Sequence, residues 1–222
     1  MTSTQTDLSL AQQTVLLLLN PDGRWAMDSY RSRMVLAGAV LSELALAEAI
    51  TIDDGKVIPA GVVPDRALSS YASLAYQRIL AKPSRKSPTR WVYSLMHKDL
   101  ADDVIGTLVD RGILSRGHGT VLSTFPVDAY PEIDALPKNE LREVLAAVLR
   151  GEREATADQA ALIALLHACR LLDKQFPHAT EERVQAVVQG EWAGAAVRSA
   201  IRRAIAAIVI VLILLFGHVG PF

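Results

Sequence analysis

Apolar residues fall into blocks with helical spacing, and turn chemistry separates the blocks. Ser9 stands where a helix N-cap is expected, with Gln12 three residues on as a capping-box partner, and Val15 with Leu16, Leu17, Leu18 and Leu19 makes the following stretch apolar nearly all round. This predicts a buried helix, closed by the turn residues Asn20, Pro21, Asp22 and Gly23. Over 29–47 the apolar positions Met34, Leu36, Val40, Leu41, Leu44 and Leu46, with small Ala37, Gly38 and Ala39 among them, predict a long core helix with a closely packed face. Ile50 to Ile52 and Val57 with Ile58 flank an Asp-Gly pair, the signature of a short β-hairpin. A third helix is predicted to open at Pro64 or Asp65 and to reach about Ala81.

The stretch 82–90 carries Lys82, Arg85, Lys86 and Arg90 with two prolines and no anion, and reads as an exposed loop before Trp91 opens another helix. A helix over 100–111 ends at Gly112, where a left-handed C-cap residue is expected. Segments 113–116 and 120–125 flank Gly117, His118 and Gly119, a second hairpin signal. Helices follow at 138–150, 157–174 and 180–189, and a last element from Glu191 meets no breaker before Phe216. Without strand-helix-strand alternation, a fixed repeat or a dividing linker, the expected fold is mainly α. It is a single globular helical domain over 8–222, with two peripheral hairpins, after a disordered segment 1–7.

Composition narrows the function. Lys and Arg total 23 against 24 for Asp and Glu, a net charge of −1, so the chain lacks the basic excess of a protein that coats nucleic acid. The lone Cys169 permits no intramolecular disulfide, and the polar N-terminus has no secretory leader, so a cytoplasmic location is expected. Arginine far outnumbers lysine, and the apolar set is rich in Ala, Leu and Val, which points to a GC-rich, bacterial genome.

Candidate chemistry is sparse. His97, His118, His167, His178 and His218 are scattered, with no ligand partner at i+3 or i+4, so neither a metal site nor a cofactor is expected. Nucleophile elbows, phosphate loops and dinucleotide fingerprints are absent, and Asp102 and Asp103 are adjacent rather than convergent. The chain is read as no enzyme. The cationic stretch with Arg85, Lys86 and Arg90 beside Trp91 suits anionic headgroups, and Arg31 and Arg33 near Trp25 form a smaller group of the same kind. Ile113, Leu114, Val121, Leu122 and Phe125 exceed what a solvated hairpin needs, so they pack on the body, enter a partner or touch a membrane.

Four segments in order, Leu8-Ser-Leu-Ala-Gln-Gln13 with Leu16 to Leu19, Leu41-Ser-Glu-Leu-Ala-Leu46, Leu108-Val-Asp-Arg-Gly-Ile-Leu114, and Ala161-Leu-Ile-Ala-Leu-Leu-His-Ala168 running on to Phe176, resemble the Golgi phosphoprotein 3 family. Eukaryotic members are peripheral membrane proteins that read phosphatidylinositol 4-phosphate. The resemblance implies a non-enzymatic helical domain around a hydrophobic helix, a headgroup site on a basic face, and a protruding hairpin for self-association, here Leu114, Val121 and Leu122. In the family a Trp and three Arg hold the phosphate. Registering the second helix on Glu43 sets Asp28 and Ala37 at two of those positions, and registering the later helix on Gly112 sets Lys98 and Ala101 at the others. Lys98 alone keeps the charge, with Trp25, Arg31 and Arg33 as neighbours that can substitute.

The resemblance places a buried central helix near the end of the chain. The run 204–216 holds thirteen uncharged residues, short for a span of about 20, and two placements stay open for 205–216: a buried core helix, or a membrane-touching tail with Arg198, Arg202 and Arg203 on the cytoplasmic side. Two functions stay open as well. One is a peripheral membrane adaptor that binds anionic phospholipid or phosphoinositide headgroups and a protein client. The other is a soluble helical interaction module that has lost specific phosphoinositide reading and associates, as a homo-oligomer or with a partner, through the second hairpin.

Overall fold

The computed structural model describes residues 8–61, 64, 67–82, 86–121 and 125–190. Helix α1 (Leu10–Leu18) starts at a complete capping box: the Ser9 hydroxyl accepts from the Gln12 amide, and the Gln12 side chain accepts from the Ser9 amide at 3.0 Å. Its residues are almost all buried, as the apolar run requires. Helix α2 (Ser29–Leu46) follows, N-capped by Asp28, and packs against α1 and four later helices. Ala37, Gly38 and Ala39 lie inside this contact zone, where small side chains let neighbouring backbones approach.

Strands β1 (Ile50–Asp53) and β2 (Lys56–Pro59) form the first hairpin, with Asp54 and Gly55 both at positive φ, as a two-residue type I′ turn requires. Helices α3 (Ser70–Leu80), α4 (Pro88–Leu95) and α5 (Lys98–Asp110) pack on α2. Strands β3 (Gly117–Val121) and β4 (Phe125–Ala129) form the second hairpin. The chain closes, among the described residues, with α6 (Leu136–Leu149), α7 (Ala157–Ala168), the single turn α8 (Leu172–Gln175) and α9 (Glu181–Gln189). The mainly helical fold with two hairpins is as the sequence predicts. The run 205–216 lies outside the described residues.

Four boundaries differ from expectation, each for a physical reason. Helix α3 opens at Ser70, not at Pro64 or Asp65. Its cap is Ser69, whose hydroxyl accepts from the Ala72 amide while donating to the Glu43 carboxylate at 2.9 Å, a tertiary bond that local sequence does not carry. Helix α4 opens at Pro88 rather than Trp91, because Ser87 caps it and proline suits the first helical turn. In the second hairpin Gly117, His118 and Gly119 are strand, not turn, because they pair across with Ala129, Asp128 and Val127, a cross-strand register that the local glycines do not announce. The predicted helix over 157–174 breaks after Cys169, at Arg170 with φ +55°. Leu171 and Leu172 are buried like the residues before them, so the apolar period runs through the break and conceals it.

One buried ion pair locks the fold. Lys138, in the first turn of α6, donates to the Leu19 carbonyl at 2.8 Å and to the Glu132 carboxylate at 2.5 Å, with its side chain 8% exposed. Lys138→Met keeps the stem but leaves a buried carbonyl and a mostly buried carboxylate without their donor. A loss of about 2 kcal/mol is expected. Urea denaturation measures it, and an unchanged midpoint would show the pair to be dispensable.

Candidate functional site

The cationic stretch between α3 and α4 is held from three sides. Ala81 caps the end of α3, and Lys82 follows it, its amide donating to the Ile79 carbonyl. The Lys86 carbonyl accepts from the Val57 amide at 2.9 Å, which ties the stretch to β2 of the first hairpin. Ser87 then caps α4 and accepts from the Arg90 amide, so Arg90 projects from the first helical turn. Arg85 lies outside the described residues.

Beneath these cations is Trp91, buried to 1% exposure, with the Lys86 ammonium 5.0 Å from its ring centroid. That distance is a cation–π contact, and it fixes where the ammonium stands. The indole Nε1 has no hydrogen-bond partner among the described residues. Partial burial, then the nearby Lys82 and Arg90 charges, push the Lys86 ammonium below the usual lysine range. Among the described residues no carboxylate pairs with Lys82, Lys86 or Arg90. Three cations that repel one another, with no counter-ion among the described residues, gain from any phosphate or carboxylate placed among them.

The other predicted site residues lie elsewhere. Arg31 bonds its own helix cap, the Nε standing 3.5 Å from the Asp28 carboxylate, and Arg33 donates to the Ser29 carbonyl at 3.0 Å. Trp25 packs edge-on against Tyr130, ring centroids 6.2 Å apart, and bridges Leu19, so its indole serves the joint between α1 and the end of β4. Lys98 opens α5. Leu114 precedes the second hairpin and is fully buried, a core residue bridged to Glu132; Val121 ends β3, and Leu122 lies outside the described residues.

The positions registered on the family's phosphate site differ from a headgroup pocket. Ala37 is 0% exposed and Ala101 6%, both inside the core, and Asp28 is occupied as the α2 cap. Lys82 was not singled out in the sequence beyond its stretch; its place beside Lys86 depends on how α3 ends. Among the described residues no three His, Cys, Asp or Glu side chains group to hold a metal ion, and no helix is long and apolar enough to cross a membrane. His167 faces Glu181 at 3.6 Å, and burial pushes the Cys169 thiol up to about 12.

These features define a mainly helical domain with a clustered basic turn seated on a buried tryptophan. The family model described as Golgi phosphoprotein 3 (GPP34) matches residues 10–204, and the chain belongs to that family. No curated protein matches the chain.

Proposed function

We propose that the protein is a non-enzymatic peripheral membrane adaptor that reads anionic lipid through Lys82, Lys86 and Arg90, with Arg85 in the same stretch and a protein client held on another surface. The observation that carries this reading is Lys86, held over Trp91 beside Lys82 and Arg90, with no carboxylate partner for the three among the described residues. Family membership supports it. The cluster supplies point charges and one guanidinium on a half-exposed turn, which suits a charged surface better than one enclosed headgroup.

Co-sedimentation with phosphatidylcholine vesicles, with and without phosphatidylserine or phosphatidylinositol 4-phosphate, tests the reading. Binding is expected only with anionic lipid and is expected to fall as salt rises from about 0.1 M to about 0.5 M, since the Debye length shortens over that range. Equal binding to neutral vesicles, unchanged by salt, would reject the electrostatic mechanism. At matched surface charge the two anionic lipids are expected to bind alike.

The burial of Ala37 and Ala101 favours a second reading, a soluble helical interaction module that has lost phosphoinositide reading. It predicts no vesicle binding at any composition, with association through the second hairpin instead.

A further inference from the structure

We propose that Leu80 and Tyr93, on either side of the basic turn, enter the bilayer beneath the anionic headgroups that the cations meet. Insertion rests on the lipid reading above and deepens it, from adsorption on a surface to shallow penetration of it. Leu80 ends α3 two residues before Lys82 and is 47% exposed. Tyr93 stands on α4 one turn beyond Arg90 and is 45% exposed.

Exposure of a single apolar side chain is ordinary, so the charge around each decides what it can meet. Among the described residues the large apolar side chains left exposed are Tyr30, Leu74, Leu80, Tyr93, Ile133 and Leu136. Ile133 and Leu136 lie beside Glu132 and Asp134, which an anionic surface repels. Tyr30 neighbours Arg31, but that guanidinium stands 3.5 Å from the Asp28 carboxylate. Leu74 has Ser70, Gln77 and Arg78 one turn away on α3, a polar face with a single cation. Leu80, by contrast, has half-buried Tyr76 one turn before it and Lys82 just after it, and Tyr93 has Arg90 and half-buried Met96 one turn away. These two positions border the three-cation cluster.

The fold also fixes them relative to the charges. The Ala81 amide donates to the Gln77 carbonyl at the end of α3, Ser87 caps α4, and both helices pack on β2, where the Val57 amide holds the Lys86 carbonyl. Attraction that draws the turn to a membrane therefore brings both side chains with it. Leucine gives its side chain to hydrocarbon, while tyrosine places its ring at the acyl boundary and its hydroxyl among the headgroups. About half of each side chain stands in water in the free protein, so its transfer is expected to tighten binding about fivefold per residue.

Co-sedimentation with vesicles of phosphatidylcholine and phosphatidylserine tests insertion, with Leu74, a leucine of equal exposure on the same helix, as the internal control. Leu80→Ser and Tyr93→Ser are each expected to weaken binding about fivefold and together about twentyfold, while Leu74→Ser binds as the parent does. The ratio of parent to double variant is expected to stay constant between about 0.1 M and about 0.2 M salt, although both bind less, because apolar transfer is not screened. Depth is read directly from an environment-sensitive fluorophore placed at Leu80→Cys, Tyr93→Cys or Leu74→Cys in a Cys169→Ala chain. Nitroxides on the lipid acyl chains are expected to quench the first two labels and not the third. Salt-sensitive binding with all three labels unquenched, or Ser variants that keep their thermal midpoints and bind like the parent, would overturn insertion and leave the charge reading standing. An equal loss from Leu74→Ser would overturn it as well, by showing a general effect of surface hydrophobicity. Failure of the parent to bind anionic vesicles would overturn the lipid reading and insertion together.

Discussion

Gly23→Ala is expected to destabilise the protein by about 3 kcal/mol or more, although it adds one methyl group, because Gly23 is the buried residue of its turn. Gly23 has φ +77°, and a Cβ there would stand 2.4 Å from the Pro131 nitrogen and the Tyr130 carbonyl carbon. Both are backbone atoms, so no rotamer change relieves the collision. The same contact carries a bond, the Tyr130 amide donating to the Gly23 carbonyl at 2.8 Å. Pushing the two segments apart therefore breaks that bond and separates Trp25 from Tyr130. Gly55 provides the comparison, with φ +65° and nothing within 4 Å of its added Cβ. Gly55→Ala tests conformational strain alone and is expected to cost about 1 kcal/mol. Urea denaturation of both variants decides it: equal losses would mean that the close approach at Gly23 contributes nothing.

Gly23 also marks where sequence reading runs out. Asn20, Pro21, Asp22 and Gly23 announce a turn because each acts on its own backbone, and the same locality made the α1 capping box and the first hairpin legible. That the turn abuts Tyr130 is a contact across more than 100 residues, and no local pattern encodes it. Ser69 shows the same limit: Pro64 and Asp65 carry equally good start signals, and Glu43 on α2 supports the choice of Ser69. The site follows the same division. The cations at 82–90 are visible as charge in the sequence, whereas the burial of Trp91 beneath Lys86 and the tie from Lys86 to Val57 belong to the packing. Trp25, a candidate by composition, packs on Tyr130, since an indole near guanidiniums in sequence has no obligation to face them in space.

The joint substitution Lys86→Glu with Arg90→Glu is expected to weaken binding to anionic vesicles roughly 10³-fold, enough to abolish sedimentation. Each replacement removes an attraction and installs a repulsion, a change of four charge units on one turn. Lys86 is partly covered and held over Trp91, and Arg90 stands on the first turn of α4, so neither charge averages freely over the surface. Folding is expected to survive. Neither side chain has a carboxylate partner among the described residues, and acidic residues near a helix N-terminus complement its dipole. The Lys86→Ser and Arg90→Ser pair removes attraction alone and is expected to lose about the square root of that factor, giving a graded response tied to charge. If the Glu protein keeps its thermal midpoint and still sediments with anionic vesicles, the contact lies on another face. If the Ser and Glu pairs lose binding equally, Lys86 and Arg90 act through specific hydrogen bonds, and the surface-charge mechanism gives way to a defined headgroup site.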